Sequence, residues 1–448
     1  MSRQKGTGGG LFSLSNRLKG DLIRKTREKK RESEKKETKP RHIERKQKAI
    51  PEAFTRFDRF PGYEEMLVPQ TVSRKMGIAN PFFRIHDGVA NSTTEIGGKQ
   101  YINYASYNYL GLSGDQRVNQ ASIEAIEHYG TSVSAARLGA GERPIQHEFE
   151  QRLAELYGVE DSLVFVSGHA TNVTTIGYLF GEKDLVIHDS LIHNSVLQGA
   201  QLAGAHRRSF PHNDWQALDT ILTEIRPQFE RALIVIEGLY SMDGDFPELP
   251  QFVEIKRRHK AFLMVDEAHS LGVIGKTGRG IAEHFGMPGT DVDIWMGTLS
   301  KTLAGCGGYI AGNSALVEHL RYRAPGFLYS VGIPAPICAA SNKALQIMLA
   351  EPDRVETLLQ RGQQFLELAK DKGINTGTSA GFAVIPVIVG SSLKAVKISN
   401  ALFKRGLNVQ PIIYPGVEEK AARLRFFICK DHTEEQIAHT IDVLTDVL

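Results

Sequence analysis

The chain has 448 residues, 41% hydrophobic and 23% charged, which is enough to bury a sizeable core and excludes a peptide-scale or disordered protein. Its three cysteines, Cys306, Cys338 and Cys429, lie far apart with no CxxC pair and no histidine cluster at zinc-ligand spacing. That argues against a disulfide scaffold and a structural metal site, and for a reducing compartment. The N-terminus has no apolar core of the signal-peptide kind and no run of eighteen apolar residues occurs, so the expected location is cytoplasmic.

The net charge of +3 is uneven. Residues 1–50 hold 17 Lys and Arg against 6 Asp and Glu, a surplus of 11, which leaves residues 51–448 at −8. Within the tail Leu11, Leu14, Leu18 and Leu22 recur at helical spacing. Three readings stay open: a solvated, partly helical extension, a basic amphipathic contact with the inner face of an anionic membrane, or a dock for an acidic partner. Nucleic acid is disfavoured because no aromatic residues interleave with the basic ones. Residues 1–60 are therefore set apart as an extension, and 61–105 as an N-terminal arm with small strands.

From about residue 60 the pattern is that of an α/β enzyme. FFRIHDG (82–88) and KQYINYAS (99–106) read as two strands. Helical periods then alternate with the apolar runs SLVFV (162–166), DLVIH (184–188), ALIVIEG (232–238), AFLMVDEAH (261–269) and DIWMGTLSK (293–301). Strands alternating with helices predict a mainly parallel sheet covered on both faces, in a large domain spanning 106–340. A long helical pattern around 340–370, VIPVIVG (384–390), a helix near 392–405 and LRFFICK (424–430) predict a smaller C-terminal α+β domain over 341–448.

Ligands of such sheets bind beyond the carboxyl ends of the strands, and polar groups follow four of the runs there. Lys301 stands after Thr298 and Ser300 and before the glycine-rich 305–308. Taken alone it is as well explained as a surface lysine, but hydroxyls and glycines around it suit an amine beside a bound phosphate, able to form a Schiff base. Asp266 ends AFLMVD, where an unpaired carboxylate is costly to bury. A protonated pyridine nitrogen would be its partner, with a nearby His or Arg as the plainer alternative, and His269 could reach the same ligand. Ser167-Gly168-His169 at a helix start offers free N–H groups to an anion. His193 is either a satisfied structural histidine or a flat ring over a pyridine.

Together these residues resemble a known family. SYNYLGL (106–112), YGTSVSAARLGAGERPIQHEFEQRLAEL (129–156), HDSLIHNS (188–195), FPHND (210–214), EGLYSMDGD (237–245), VDEAHSLGVIGKTGRG (265–280), GTLSKTLAGCGGYIAG (297–312) and ARLRFFICKDHT (422–433) are similar to the α-oxoamine synthases, fold-type-I enzymes dependent on pyridoxal 5′-phosphate (PLP). The resemblance covers about residues 60–448 and implies a seven-stranded, mainly parallel sheet. It implies Lys301 as the Schiff-base lysine, Asp266 as the pyridine-nitrogen partner, His269 with Ser241 near the ring's phenolic oxygen, and His193 stacked on the ring. Gly168, His169, Thr298 and Ser300 would hold the phosphate, joined by Ser330 from a second subunit of a homodimer with shared sites. Asn108 and Arg423 would bind the amino-acid carboxylate, with Arg425 as the alternative to Arg423. Tyr107 and Val331-Gly332 depart from the residues usual in the family.

The implied reaction is a decarboxylative condensation of Ser, Gly or Ala with an acyl thioester to a 2-amino-ketone. SGHATNVTTIGYLFG (167–181), HNDW (212–215) and YPGVEEKAARLRFF (414–427) resemble most the synthase modules fed by acyl carrier proteins, then serine palmitoyltransferase-like enzymes. The rival functions are a PLP-dependent aminotransferase and a catalytically silent partner subunit, the latter opposed by the presence of Lys301, Asp266 and His269.

Overall fold

The computed structural model describes residues 50–63, 65–67 and 77–448, so the readings of the tail fall largely outside the described residues. Residues 1–72 and 73–448 separate into two units. In the first, short 3-10 turns cover Glu52–Thr55 and Phe57–Arg59.

The second unit is organised by a sheet of seven strands in the order β3-β9-β8-β7-β6-β4-β5. They are β3 (Asp161–Phe165), β4 (Leu185–Asp189), β5 (His206–Phe210), β6 (Ala232–Glu237), β7 (Phe262–Asp266), β8 (Ile294–Thr298) and β9 (Gly308–Gly312). β5, β4, β6, β7 and β8 run parallel, and β9 lies antiparallel between β8 and β3. The parallel, mainly apolar prediction therefore holds. β6 is buried at every position because helices cover both faces of the sheet, which is why its sequence is an unbroken apolar run.

A hairpin of β1 (Thr93–Ile96) and β2 (Lys99–Asn103) turns through Gly97 and Gly98, both at positive φ, a conformation glycine adopts without steric cost. FFRIHDG (82–88) forms no strand; only Asp87 bridges to Glu95. Phe83 and Ile85 are 97% and 85% exposed, so their alternation has no apolar face to pack on. β2 pairs parallel with β11 (Leu407–Asn408), while β10 (Val384–Ile388), β13 (Arg423–Phe427) and β12 (Gln410–Ile412) form a second, antiparallel three-stranded sheet. The helical pattern around 340–370 resolves into Ala335–Ala350 and Asp353–Asp371, broken at Pro352, and residue 340 falls inside the first of them.

Candidate active site

The carboxyl ends of β4, β6, β7 and β8 surround a cavity of about 400 Å³. Its walls include Tyr107, Gly168, His169, Asn172, His193, Glu237, Ser241, Asp266, His269, Thr298, Ser300, Lys301, Cys306 and Arg425, so most of the expected residues meet in one place. A larger cavity of about 580 Å³ lies at the opposite, amino ends of the strands around Phe180, Phe262 and Leu316, and contains none of these groups.

Asp266 is buried at the end of β7. Its Oδ2 accepts from Asn172 Nδ2 at 2.9 Å and its Oδ1 from the Ala268 N–H at 2.9 Å. Across the ladder Glu237 stands directly opposite Asp266, also buried. Burial first, then the Asp266 charge, pushes the Glu237 carboxyl well above the carboxylate range. Two adjacent carboxylates away from water do not both ionise, and Glu237 is the one pushed toward its protonated form. Glu237 Oε1 accepts the His193 N–H at 2.7 Å.

Lys301 lies in the turn after β8. Burial lowers its ammonium to about 8, against the opposing pull of Asp266 and Glu237. His193 caps the helix Asn194–Ala203 and bonds through Nδ1 to Ser195 Oγ at 2.7 Å. Burial also lowers its pKa, and does so far more for His269, whose Nδ1 meets the Tyr109 hydroxyl at 2.8 Å. Both rings are thus held toward the neutral form, a flat surface that can stack on an aromatic ligand.

The helix Gly168–Leu179 opens against Thr298. Ser167 Oγ caps the Ala170 N–H at 3.3 Å, and the preceding first-turn N–H groups have no partner within the helix. A Cβ on Gly168 would stand 2.7 Å from Thr298 Oγ1, so only glycine leaves this cradle open. Helix N–H groups, a hydroxyl and that space make an anion site. A pyridine-nitrogen partner, a lysine amine, two neutral imidazoles and a phosphate cradle on one wall fit PLP. Asn172 Oδ1, buried without a protein partner, adds a free acceptor there.

Two of the expected substrate-binding residues lie off the cavity wall. Arg423 is not on the cavity wall: its Nη1 pairs with Asp243 Oδ1 at 2.6 Å and with Met242 O at 2.9 Å, and its Nε with Ala421 O at 2.8 Å. Arg425 is the wall arginine, with weaker partners in Ser241 O at 3.1 Å and Met242 Sδ at 3.4 Å, and its Nε buried and unpaired. Asn108 also does not reach the cavity. Its Oδ1 takes the Ser113 N–H at 2.9 Å and its Nδ2 gives to Ser113 O at 3.1 Å, so the amide is spent closing its own turn. Tyr107 occupies the wall instead, 5.6 Å from Lys301 Nζ to ring centroid. Ser330 lies outside the cavity, in a small hollow with Phe327 and Gly332.

The sequence reading gave Asn172 and Cys306 no role and Glu237, which ends an apolar run as Asp266 does, only its place at a strand's end. Asn172 carries little signal, since its helix also holds Thr171, Thr174 and Thr175.

The description "Aminotransferase class I and II" matches residues 99–444. The 8-amino-7-oxononanoate synthase of Symbiobacterium thermophilum is 40% identical over 352 residues, covering 79% of this chain and 89% of that one. The 4-hydroxy-2,2'-bipyrrole-5-methanol synthase PigH of a Serratia species is 35% identical over 346 residues, 77% of this chain and 52% of the longer relative. Among solved structures, Sphingomonas wittichii serine palmitoyltransferase superposes with a TM-score of 0.82 at 28% identity, over 86% of this chain and 97% of that one.

Proposed function

Because the chain belongs to the class I and II aminotransferases, within their α-oxoamine synthase group, and is a PLP-dependent synthase joining an amino acid to an acyl thioester with loss of carbon dioxide, we propose how its own residues divide that work. The observation that carries the reading is the convergence of Lys301, Asp266, His193 and the Gly168–Thr298 cradle on one cavity. When bound, PLP supplies an electron sink for the carbanion formed at the amino acid's α-carbon.

Asp266 holds a proton on the ring nitrogen. Lys301 Nζ, whose ammonium burial lowers to about 8, takes the α-proton in its neutral form. Gly168, His169, Thr298 and Ser300 hold the phosphate, His193 lies against the ring, and His269 with Ser241 faces its phenolic oxygen. Arg425, beside Tyr107, binds the amino-acid carboxylate, since it is the wall cation with replaceable partners. Ser330 reaches a phosphate in a second copy of the chain, making a homodimer with shared sites. The amino acid is Gly, Ala or Ser, and the acyl donor is a carrier-protein or coenzyme A thioester. The basic tail serves an acidic carrier or an anionic membrane surface on the cytoplasmic side; among the described residues no helix is long and apolar enough to cross a membrane.

The test adds Gly, Ala and Ser singly to the holoenzyme. One of them shifts the cofactor absorbance and then consumes an acyl thioester with stoichiometric carbon dioxide release. A keto acid formed without the thioester would assign an aminotransferase.

Arg425→Ala raises KM for the amino acid about ten- to hundredfold, the loss of a charge-assisted hydrogen bond of about 1.5–3 kcal/mol. Arg423→Ala instead strands Asp243 and lowers Tm, with KM changed less than about threefold. The reverse pattern would return the role to Arg423.

The lowered Lys301 amine has its own consequence. Only the neutral amine attacks an aldehyde, so PLP uptake by the cofactor-free protein rises with pH through about 8 and levels above it. Stopped-flow absorbance checks this, and a midpoint near 10 would show an unshifted lysine.

A further inference from the structure

FPHND (210–214) carries a histidine that the reaction does not use. His212, just past β5, stands between two carboxylates: its Nδ1 is 2.9 Å from Asp189 Oδ1 and its Nε2 3.0 Å from Asp245 Oδ2. A carboxylate only accepts, so both contacts are hydrogen bonds only if both ring nitrogens carry protons. The two aspartates do raise His212, to about 10, against burial.

Each aspartate shapes a turn that delivers part of the cavity wall. Asp189 ends β4, and its Oδ1 also takes the Leu191 N–H and its Oδ2 the Asn213 N–H, both at 2.8 Å. Four residues beyond Asp189 stands His193, the cap of the next helix. Asp245 ends the turn that presents Ser241 and Met242 to the cavity. Its carbonyl accepts the Tyr240 N–H at 2.9 Å, and its Oδ2 the Thr378 hydroxyl at 2.7 Å. The Tyr240 ring packs edge-on to His212 at 4.5 Å.

We propose that the His212 imidazolium is a positioning residue of the synthase: it ties the turn carrying His193 to the turn carrying Ser241, and so fixes the spacing of two walls of the cofactor cavity. It touches neither cofactor nor substrate. The idea rests on the PLP reading of the cavity for its effect on rate, but the tie itself can be read without turnover.

The test follows amide hydrogen exchange in the full-length protein. In His212→Asn, peptides covering 189–196 and 240–246 exchange about tenfold faster or more, while those of β7 and β8 keep the wild-type rate. The holoenzyme loses about ten- to hundredfold in kcat, the cost of a wall displaced by about 1 Å. Asp245→Ala removes the acceptor and cuts one arm only, so faster exchange is confined to 240–246; this variant decides the matter if His212→Asn does not fold. Wild-type exchange at both turns in His212→Asn, or at 240–246 in Asp245→Ala, overturns the proposal. Loosened turns in an enzyme that proves to be an aminotransferase would keep the tie and refute only the synthase reading.

Discussion

Lys301→Ala lowers turnover at least about 10³-fold while PLP still binds. In the proposed mechanism the lysine has two jobs, covalent attachment and movement of the α-proton, and alanine can do neither. In the same proposal the grip on the cofactor is built elsewhere: the Gly168–Leu179 helix start and Thr298 would hold the phosphate end, and Asp266 the ring nitrogen. Wild-type protein should be yellow and be fixed irreversibly by borohydride; the variant should bind PLP without being fixed. Full activity in Lys301→Ala would remove the lysine from the mechanism.

Asp266→Asn costs about 10² to 10⁴ in kcat and less than about tenfold in PLP affinity. The amide keeps the shape, but its single oxygen can accept from only one of Asn172 and Ala268, and it no longer supplies the charge that keeps a proton on the ring nitrogen. The neighbouring carboxyl responds as well. With Asp266 uncharged, the second of the causes that hold Glu237 protonated is gone while burial remains, and its pKa falls back toward the ordinary carboxylate range. Glu237 does not compensate, because its Oε1 is committed to the His193 N–H. Steady-state kinetics and cofactor titration of the variant check both numbers, and a wild-type rate would mean the ring nitrogen has another partner.

How far the site could be read from the sequence follows from burial. β4, β6, β7 and β8 are covered on both faces, so they appear as apolar runs, and the polar groups that end those runs are the ones brought to the cavity. β5 (His206–Phe210) gave no such signal: it is an edge strand whose first four residues are exposed. β9 (Gly308–Gly312) hid in a glycine-rich stretch, although all five of its residues are buried. The arginine pair shows a limit of another kind. Arg423 and Arg425 lie two apart on β13 and share a face of it, so spacing cannot rank them. What separates them is Asp243, about 180 positions away, which neutralises the first and leaves the second for a ligand. Asn108 failed for the same reason in miniature, because its partner, Ser113, closes a turn whose geometry its letters do not spell.

The cavity draws on two parts of the fold. Apart from Ser330 of a second copy, the groups that the proposal sets around the ring and phosphate come from segments between Gly168 and Lys301, attached to the seven-stranded sheet, whereas Tyr107 and Arg425 come from beyond it. For descent with modification this partition is permissive. Drift around residue 107 or along β13 can change which acid is admitted without loosening the catalytic chassis, so a lineage can diversify its products while inheriting one cofactor grip intact.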